Sequence, residues 1–251
     1  LWEGKYIDFF KYENEKDKEM ILPLQYDEAS GYCDNIQLMV GSRDHYDCWT
    51  ELIPSADFVD YYRNADGSEF KWSAYLTGWD DLTPAQREVF FLRNNLTSNQ
   101  SAYNDAKSRI GAEVMNKYYL TSGNEARIKK AYESRDPRLQ QTIITPYSST
   151  NCYSPYWNSG EPMQNKVLRW PYLDRGGNNG DMWHNQRNAG YYIYKKYNET
   201  EKGRYIERLR CHCDYPLIRF TDVWLLYAEA LNEKDRLDEA IIAVNKIRKR
   251  A

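Results

Sequence analysis

Several features that would settle this chain's class at once are missing from it. No run approaches the roughly 18 to 20 apolar residues that a bilayer-crossing helix needs. The densest apolar stretch, Tyr215 to Glu233, is interrupted by Arg219, Asp222, Glu229 and Glu233. Basic residues form no block, and 34 Lys and Arg stand against 37 Asp and Glu for a net charge of -3, so no nucleic-acid partner is expected. The 5 cysteines (Cys33, Cys48, Cys152, Cys211 and Cys213) are too few and odd in number for a dense disulfide framework. Cys33 and Cys48 are placed to pair across a short loop in an oxidising compartment. Cys211-His212-Cys213 has metal-binding chemistry, but structural zinc takes four ligands and no second Cys/His cluster exists. The run Asp174 to Asp181 hints at calcium and fails the EF-hand pattern, with Asn179 where Gly belongs and Asn185 where Glu belongs. Gly-x-Ser-x-Gly, His-Glu-x-x-His and phosphate-loop motifs are absent, and no pair among the acidic residues has priority as a catalytic pair. Neither a cofactor, a metal nor an enzymatic activity is expected.

What is abundant is Tyr and Trp. Aromatics make up 15% of the chain, with 23 Tyr and 8 Trp against 7 Phe. Both side chains join a flat apolar face to a polar handle, so they suit wet binding surfaces as well as cores. At 251 residues the chain is one large domain or two small ones, long enough to bury a core.

Local signals divide the chain. Glu19 to Tyr26, with Pro23 inside, reads as a short edge strand or irregular extended piece. Cys33 to Glu51 is polar and aromatic, and reads as loop. Ser55 caps a helix whose Phe58, Val59 and Tyr62 share one face, and Asp66-Gly67 ends it in a turn. Residues 68–82 suggest a hairpin or long loop. Thr83, Pro84 and Gln86 carry a helix-start signature. Asn124 to Ser134 is helical, with a break near Arg135-Asp136 enforced by Pro137. Asp136, between Arg135 and Arg138, reads as a structural salt-bridge partner. Residues 146–203 are too long for an ordinary connection and too aromatic for disorder. From Thr221, Val223, Leu226, Ala230 and Leu231 fall near helical spacing. A polar turn, Asn232 to Arg236, follows, and then Leu237, Ala240, Ile241, Val244 and Ile247 repeat the pattern. These are two helices of an antiparallel hairpin, with Ala228, Ala230 and Ala240 permitting close approach. Such a hairpin cannot cover both its faces alone.

The stretch "YPLIRFTDVWLLYAEALNE" followed by "LDEAIIAVNKIRKRA" resembles the SusD/RagB family of Bacteroidetes outer-membrane lipoproteins. Arg219, Phe220, Asp222, Ala228, Glu229, Ala230, Asn232, Ala240, Asn245, Arg248 and Arg250 occupy the family's places. Upstream, Pro54-Ser55 to Asp66-Gly67, the run Arg135-Asp136-Pro137-Arg138-Leu139, and Gly190-Tyr191-Tyr192 with Lys195-Lys196 are similar to family elements in the same order. Trp224 and Thr221 depart from the commoner Leu and Ala. The family's lipidated cysteine, early repeat helices and C-terminal segment have no counterpart in this sequence, which resembles the middle-to-late part of a longer protein.

The resemblance implies a mainly α fold in which tetratricopeptide-like helix pairs scaffold an irregular, loop-rich region with short strands. It divides the chain at 1–214, the loop-rich ligand-binding part, and 215–251, the helix pair. It implies a non-catalytic, cell-surface protein, lipid-anchored to the outer membrane in its full-length form. Such a protein captures oligosaccharides or polysaccharides and hands them to a TonB-dependent, SusC-like transporter. Peptide uptake by the same scaffold and a secreted glycan-cleaving enzyme are the alternatives. Sugar rings present polarised C–H faces that suit aromatic rings, and their hydroxyls need polar partners. Candidate ligand-binding residues therefore form one set of Arg43, His45, Tyr46 and Trp49, with Asp44 between them, joined by Trp72, Tyr75 and Trp79. A second set is Tyr153, Tyr156, Trp157 and Asn158, with Trp183 and His184 further on. Packing is the competing reading for any single Trp, and Trp224 and Trp170 are expected to be structural.

Overall fold

The computed structural model describes Leu1, residues 3–152, 164–169, Met182, 192–198 and 209–249. The described residues are mainly helical. An N-terminal single-turn stretch leads into strand β1 (Met20–Leu24), then two short helices, α1 (Ile36–Val40) and α2 (Ala56–Asp60). Short 3-10 turns follow, and then α3 (Gln100–Ile110), α4 (Ala112–Tyr118), α5 (Asn124–Glu133) and α6 (Pro137–Thr142). Strands β2 (Ile143–Ile144), β3 (Ser149–Cys152), β4 (Gln164–Val167), β5 (Ile193–Tyr194) and β6 (Tyr215–Arg219) precede the final pair, α7 (Phe220–Asn232) and α8 (Leu237–Arg248). The strands form antiparallel pairs β1–β6, β2–β5 and β3–β4.

The helix-start signals act as their chemistry requires. Ser55 Oγ accepts the Phe58 N–H at 3.1 Å and caps α2. Asp136 accepts the Arg138 N–H at 2.9 Å, with Pro137 in the first turn of α6, where a missing N–H costs nothing. Thr83 and Gln86 make the expected reciprocal contacts, but what they open is a 3-10 segment, Gln86–Phe91. Asn124 explains what holds that segment. Its buried amide donates to the carbonyls of Val89 at 3.1 Å, Phe90 at 3.2 Å and Leu92 at 2.6 Å, which the tight turn leaves without helical partners.

Three further expectations are corrected or narrowed. The stretch Cys33 to Glu51 holds α1, because Leu38 and Val40 have a core to enter. Residues 68–82 follow the long-loop alternative and not the hairpin, with single 3-10 turns at Trp72–Ala74 and Trp79–Asp81 and Gly78 at φ 85° between them. No disulfide joins Cys33 to Cys48; Cys48 is buried and Cys33 partly exposed.

The main core gathers Val59, Phe70, Trp72, Leu76, Val89, Phe90, Met115, Ile128, Tyr132 and Leu139 from α2, the 3-10 turns and α4–α6. Arg135 locks it to α2. Its guanidinium donates to the carbonyls of Val59 and Tyr62, each at 2.6 Å, and lies 3.5 Å over the Phe70 ring. Burial pushes its pKa down. The salt bridge to Asp136 is made by Arg138 instead, as a two-pronged fork at 3.0 and 2.6 Å. A smaller cluster of Ile144, Cys152, Leu168, Met182 and Ile193 lies under the β strands.

The terminal pair is the expected antiparallel hairpin, but it buries a different face. Ala228, Leu231, Ala240 and Ala243 are buried, while Val223, Leu226, Ala230, Leu237 and Ile241 are exposed. Small side chains let the two backbones meet, so the larger aliphatics turn outward. Trp224 is only partly buried, edge-on to Phe220 and Tyr227, with the Lys246 ammonium 4.3 Å from its ring centre. Strand β6 ties the hairpin to the N-terminal segment through β1.

Candidate functional site

The loop after α1 is built to hold an unusual shape. Gly41 permits the first bend: a Cβ there would come within 2.8 Å of Cys48 Cβ and 2.9 Å of the Gln37 carbonyl. The chain then folds back on α1. Trp49 N–H donates to Leu38 O at 2.8 Å, Thr50 N–H to Gly41 O at 2.8 Å and Leu52 N–H to Met39 O at 2.9 Å. Tyr46, Asp47 and Thr50 all have positive φ, at 55°, 61° and 56°. Non-glycine residues rarely adopt that region, and such strain persists only where surroundings over-determine it.

Two buried polar contacts do the over-determining. His45, fully buried, accepts at Nδ1 from the Ser42 N–H at 3.3 Å, and that nitrogen lies 2.7 Å from Ser42 Oγ. Asp44 pairs with Lys166 at 2.7 Å, their side chains 2% and 9% exposed. Lys166 belongs to β4, paired with β3, so the bridge ties this loop to the strand pair that flanks residues 153–163. Cys152 of β3 lies in the same buried setting, and burial raises its thiol pKa well above the ordinary value.

From this base the loop presents Trp49, 38% exposed, with Arg43 and Asp47 paired at 2.6 Å close by in the chain. The predicted members of the first set thus divide. His45 and Tyr46 are buried supports, and Arg43 and Trp49 reach solvent. Trp72, Tyr75 and Trp79 are elsewhere, in and against the main core. Trp72 donates its indole N–H to Asp60 at 2.9 Å and stacks on Trp79, ring centres 5.3 Å apart. Arg87 covers Trp79 at 4.7 Å, and Tyr75 stacks on Phe70 at 5.7 Å. Tyr153, Tyr156, Trp157, Asn158, Trp183 and His184, with Trp170 and the Asp174–Asp181 run, lie outside the described residues.

Two clefts were not anticipated from sequence. One, of about 440 Å³, is lined by Glu15, Lys16, Gln25, Tyr26, Tyr32 and Asp214 among others. Tyr26 and Tyr32 stack at 5.5 Å across a turn closed by the Asp27–Tyr32 bridge, and Tyr32 is exposed. Burial raises the Glu15 carboxyl pKa. A tyrosine pair flanking an Asp-Glu-Ala-Ser-Gly turn is the local signal that marked it. The other, of about 490 Å³, opens between α2, α6 and the terminal hairpin, with Tyr62, Arg63, Arg138 and Arg219 on its walls. No local pattern announces it, because its residues come from five separate stretches of chain between Tyr6 and Ile247.

A partly exposed indole on a loop that also carries an Arg43–Asp47 ion pair, with buried polar contacts fixing the loop, is suited to binding. Among the described residues, no group of three or more His, Cys, Asp or Glu is placed to hold a metal ion. The SusD family model matches residues 2–251. This chain belongs to the SusD family. Its SusD-type backbone is similar to that of a SusD-like protein from Bacteroides fragilis NCTC 9343, with a TM-score of 0.54 and 19% identity. That match covers 100% of this chain and 40% of the other, so the chain spans 40% of the length of the SusD-like structure. No curated protein matches it. SusD family proteins are outer-membrane-associated lipoproteins that bind nutrients and are generally not catalysts. No described helix is long and apolar enough to cross a membrane.

Proposed function

We propose that this SusD family chain is part of a non-catalytic, cell-surface binding protein, lipid-anchored to the outer membrane in its full-length form. It captures oligosaccharides or polysaccharides and passes them to a TonB-dependent, SusC-like transporter. The observation that carries the reading is Trp49, exposed on a strained loop that is pinned by the buried Asp44–Lys166 bridge. A flat indole offers the face that a pyranose ring packs against, and Arg43 and Asp47 offer partners for its hydroxyls. The buried bridge fixes that geometry in advance, so little ordering cost falls on binding. Tyr153, Tyr156, Trp157, Asn158 and Trp183 are proposed as further ligand residues on their aromatic and amide chemistry.

In this proposal residues 1–214 supply the ligand surface and residues 215–251 the scaffold. Tight binding is unnecessary. Tethering beside a transporter raises effective concentration to about mM for short linkers, so a weak site can still supply a channel.

Retardation of the full protein in gels containing a panel of polysaccharides tests the reading. Retention by at least one polysaccharide, without release of reducing sugar, is expected. Retention only by protein digests would move the reading to peptide uptake, and sustained sugar release would make the protein a glycan-cleaving enzyme.

A further inference from the structure

The cleft between α2, α6 and the terminal hairpin has a chemistry distinct from that of the Trp49 loop. Its lining includes three cations, Arg63, Arg138 and Arg219, against one carboxylate, Asp136. Asp136 is already engaged by the Arg138 fork, which holds its carboxyl below the usual range. Arg248 adds positive field from α8. Among the described residues, two positive charges in the lining therefore have no opposing carboxylate there.

Arg219 is the informative residue. Its side chain is 18% exposed, and its nearest carboxylate contact is Nη2 to Asp222 Oδ1 at 4.0 Å, too long for a hydrogen bond. Nη1 is buried with no hydrogen-bond partner. A sequestered guanidinium donor without an acceptor is costly, and a carboxylate is its best geometric complement. Across the cleft Arg63, on the exposed rim, spends one nitrogen on the Gly67 carbonyl at 3.0 Å. Phe58, Tyr61 and Tyr62 complete the walls, Phe58 edge-on to Tyr62 at 5.6 Å and Tyr61 83% exposed.

We infer that this cleft binds an acidic sugar, with the carboxylate of a uronic-acid residue seated on Arg219 and steered by Arg63. Its ring lies against the Phe58–Tyr61–Tyr62 wall. The inference rests on the reading of this protein as a glycan binder and deepens it by naming an anionic class of ligand. Cleft and loop then form two stations for one chain, one reading charge and the other stacking on rings.

Calorimetric titration of the full protein with galacturonate oligomers and with neutral galactose oligomers of equal length tests it. The acidic oligomers are expected to bind more tightly, and their affinity to fall as salt rises. Arg219→Gln should weaken them by about tenfold or more and leave the neutral oligomers unchanged. Arg63→Gln, at an exposed position where misfolding is not a concern, should weaken them by a smaller factor, about threefold. Arg219→Lys should restore only part of the loss, because an ammonium cannot form the fork. Acidic oligomers that bind no better than neutral ones, or that ignore both Gln substitutions, would overturn the inference while leaving glycan capture standing. Loss of all sugar binding in the unaltered protein would instead remove the reading beneath it. Arg219-dependent binding of acidic peptides but not of uronates would overturn the inference in favour of a peptide ligand.

Discussion

Trp72 and Trp49 lie 23 positions apart and meet opposite surroundings. Trp72 is 9% exposed, bonded through its indole to Asp60, stacked on Trp79 and edge-on to Phe91 and Tyr132. Trp49 is 38% exposed, on a loop that carries the buried Ser42–His45 contact and the Asp44–Lys166 bridge. In one region the aromatic residues hold the protein together. In the other, buried polar residues hold the loop so that an aromatic can face out. The same residue type is structural where it is buried among other rings, and accessible to a ligand where part of it reaches solvent.

That contrast can be broken in four places. The largest effect is expected from Trp72→Ala, which empties a buried indole site and should cost about 4 kcal/mol of stability in denaturant titration. A cost under about 1 kcal/mol would mean that Trp72 is not a core residue. Next is Lys166→Met, which leaves Asp44 buried without its cation. It should cost about 3 kcal/mol and loosen the loop, seen as faster amide exchange at Trp49 and Thr50. Unchanged exchange there would separate the bridge from the loop's shape.

A smaller effect belongs to Asp136. Its carboxyl is held below the ordinary range first by the Arg138 hydrogen bonds. The folded pKa is therefore below the unfolded value of about 3.9, so the group's stabilisation is complete above that pH and is lost as pH falls through the folded value. Asp136→Asn keeps the cap but loses the charged fork to Arg138, so it should cost about 1 kcal/mol at neutral pH and flatten the acid limb of the stability curve. An unaltered acid limb would contradict the assignment. The smallest stability effect is Trp49→Ala, under about 0.5 kcal/mol.

Much of the scaffold was legible because its signals are local. Ser55, the helical signal of Asn124 to Ser134 and the break at Pro137 each report on the few residues beside them, although the helix that Asp136 and Pro137 open was not legible. The terminal hairpin was legible as two helices and a turn, but not in its buried face. Helical spacing reveals that Leu226 and Ile241 lie on apolar faces; it does not reveal that those residues stay exposed while Ala228, Ala240 and Ala243 are buried. The loop after α1 hid its helix because the five residues Ile36–Val40 are too few to show a period. Site residues were harder still. Arg43 to Trp49 could be picked as a cluster by adjacency, but Lys166, 122 positions from Asp44, has no sequence signal. Arg63 and Arg219 are brought to one cleft by the β1–β6 pairing and the placement of α2, which no spacing encodes.

The most direct test of the account pairs Trp49→Ala with Trp72→Ala in the full protein, measuring polysaccharide affinity and melting temperature on the same samples. The account predicts that Trp49→Ala weakens glycan binding by about tenfold, some 1.4 kcal/mol, with an unchanged melting temperature. It also predicts that Trp72→Ala lowers the melting temperature and affects binding only where the fold is lost. Full glycan affinity in Trp49→Ala would contradict it.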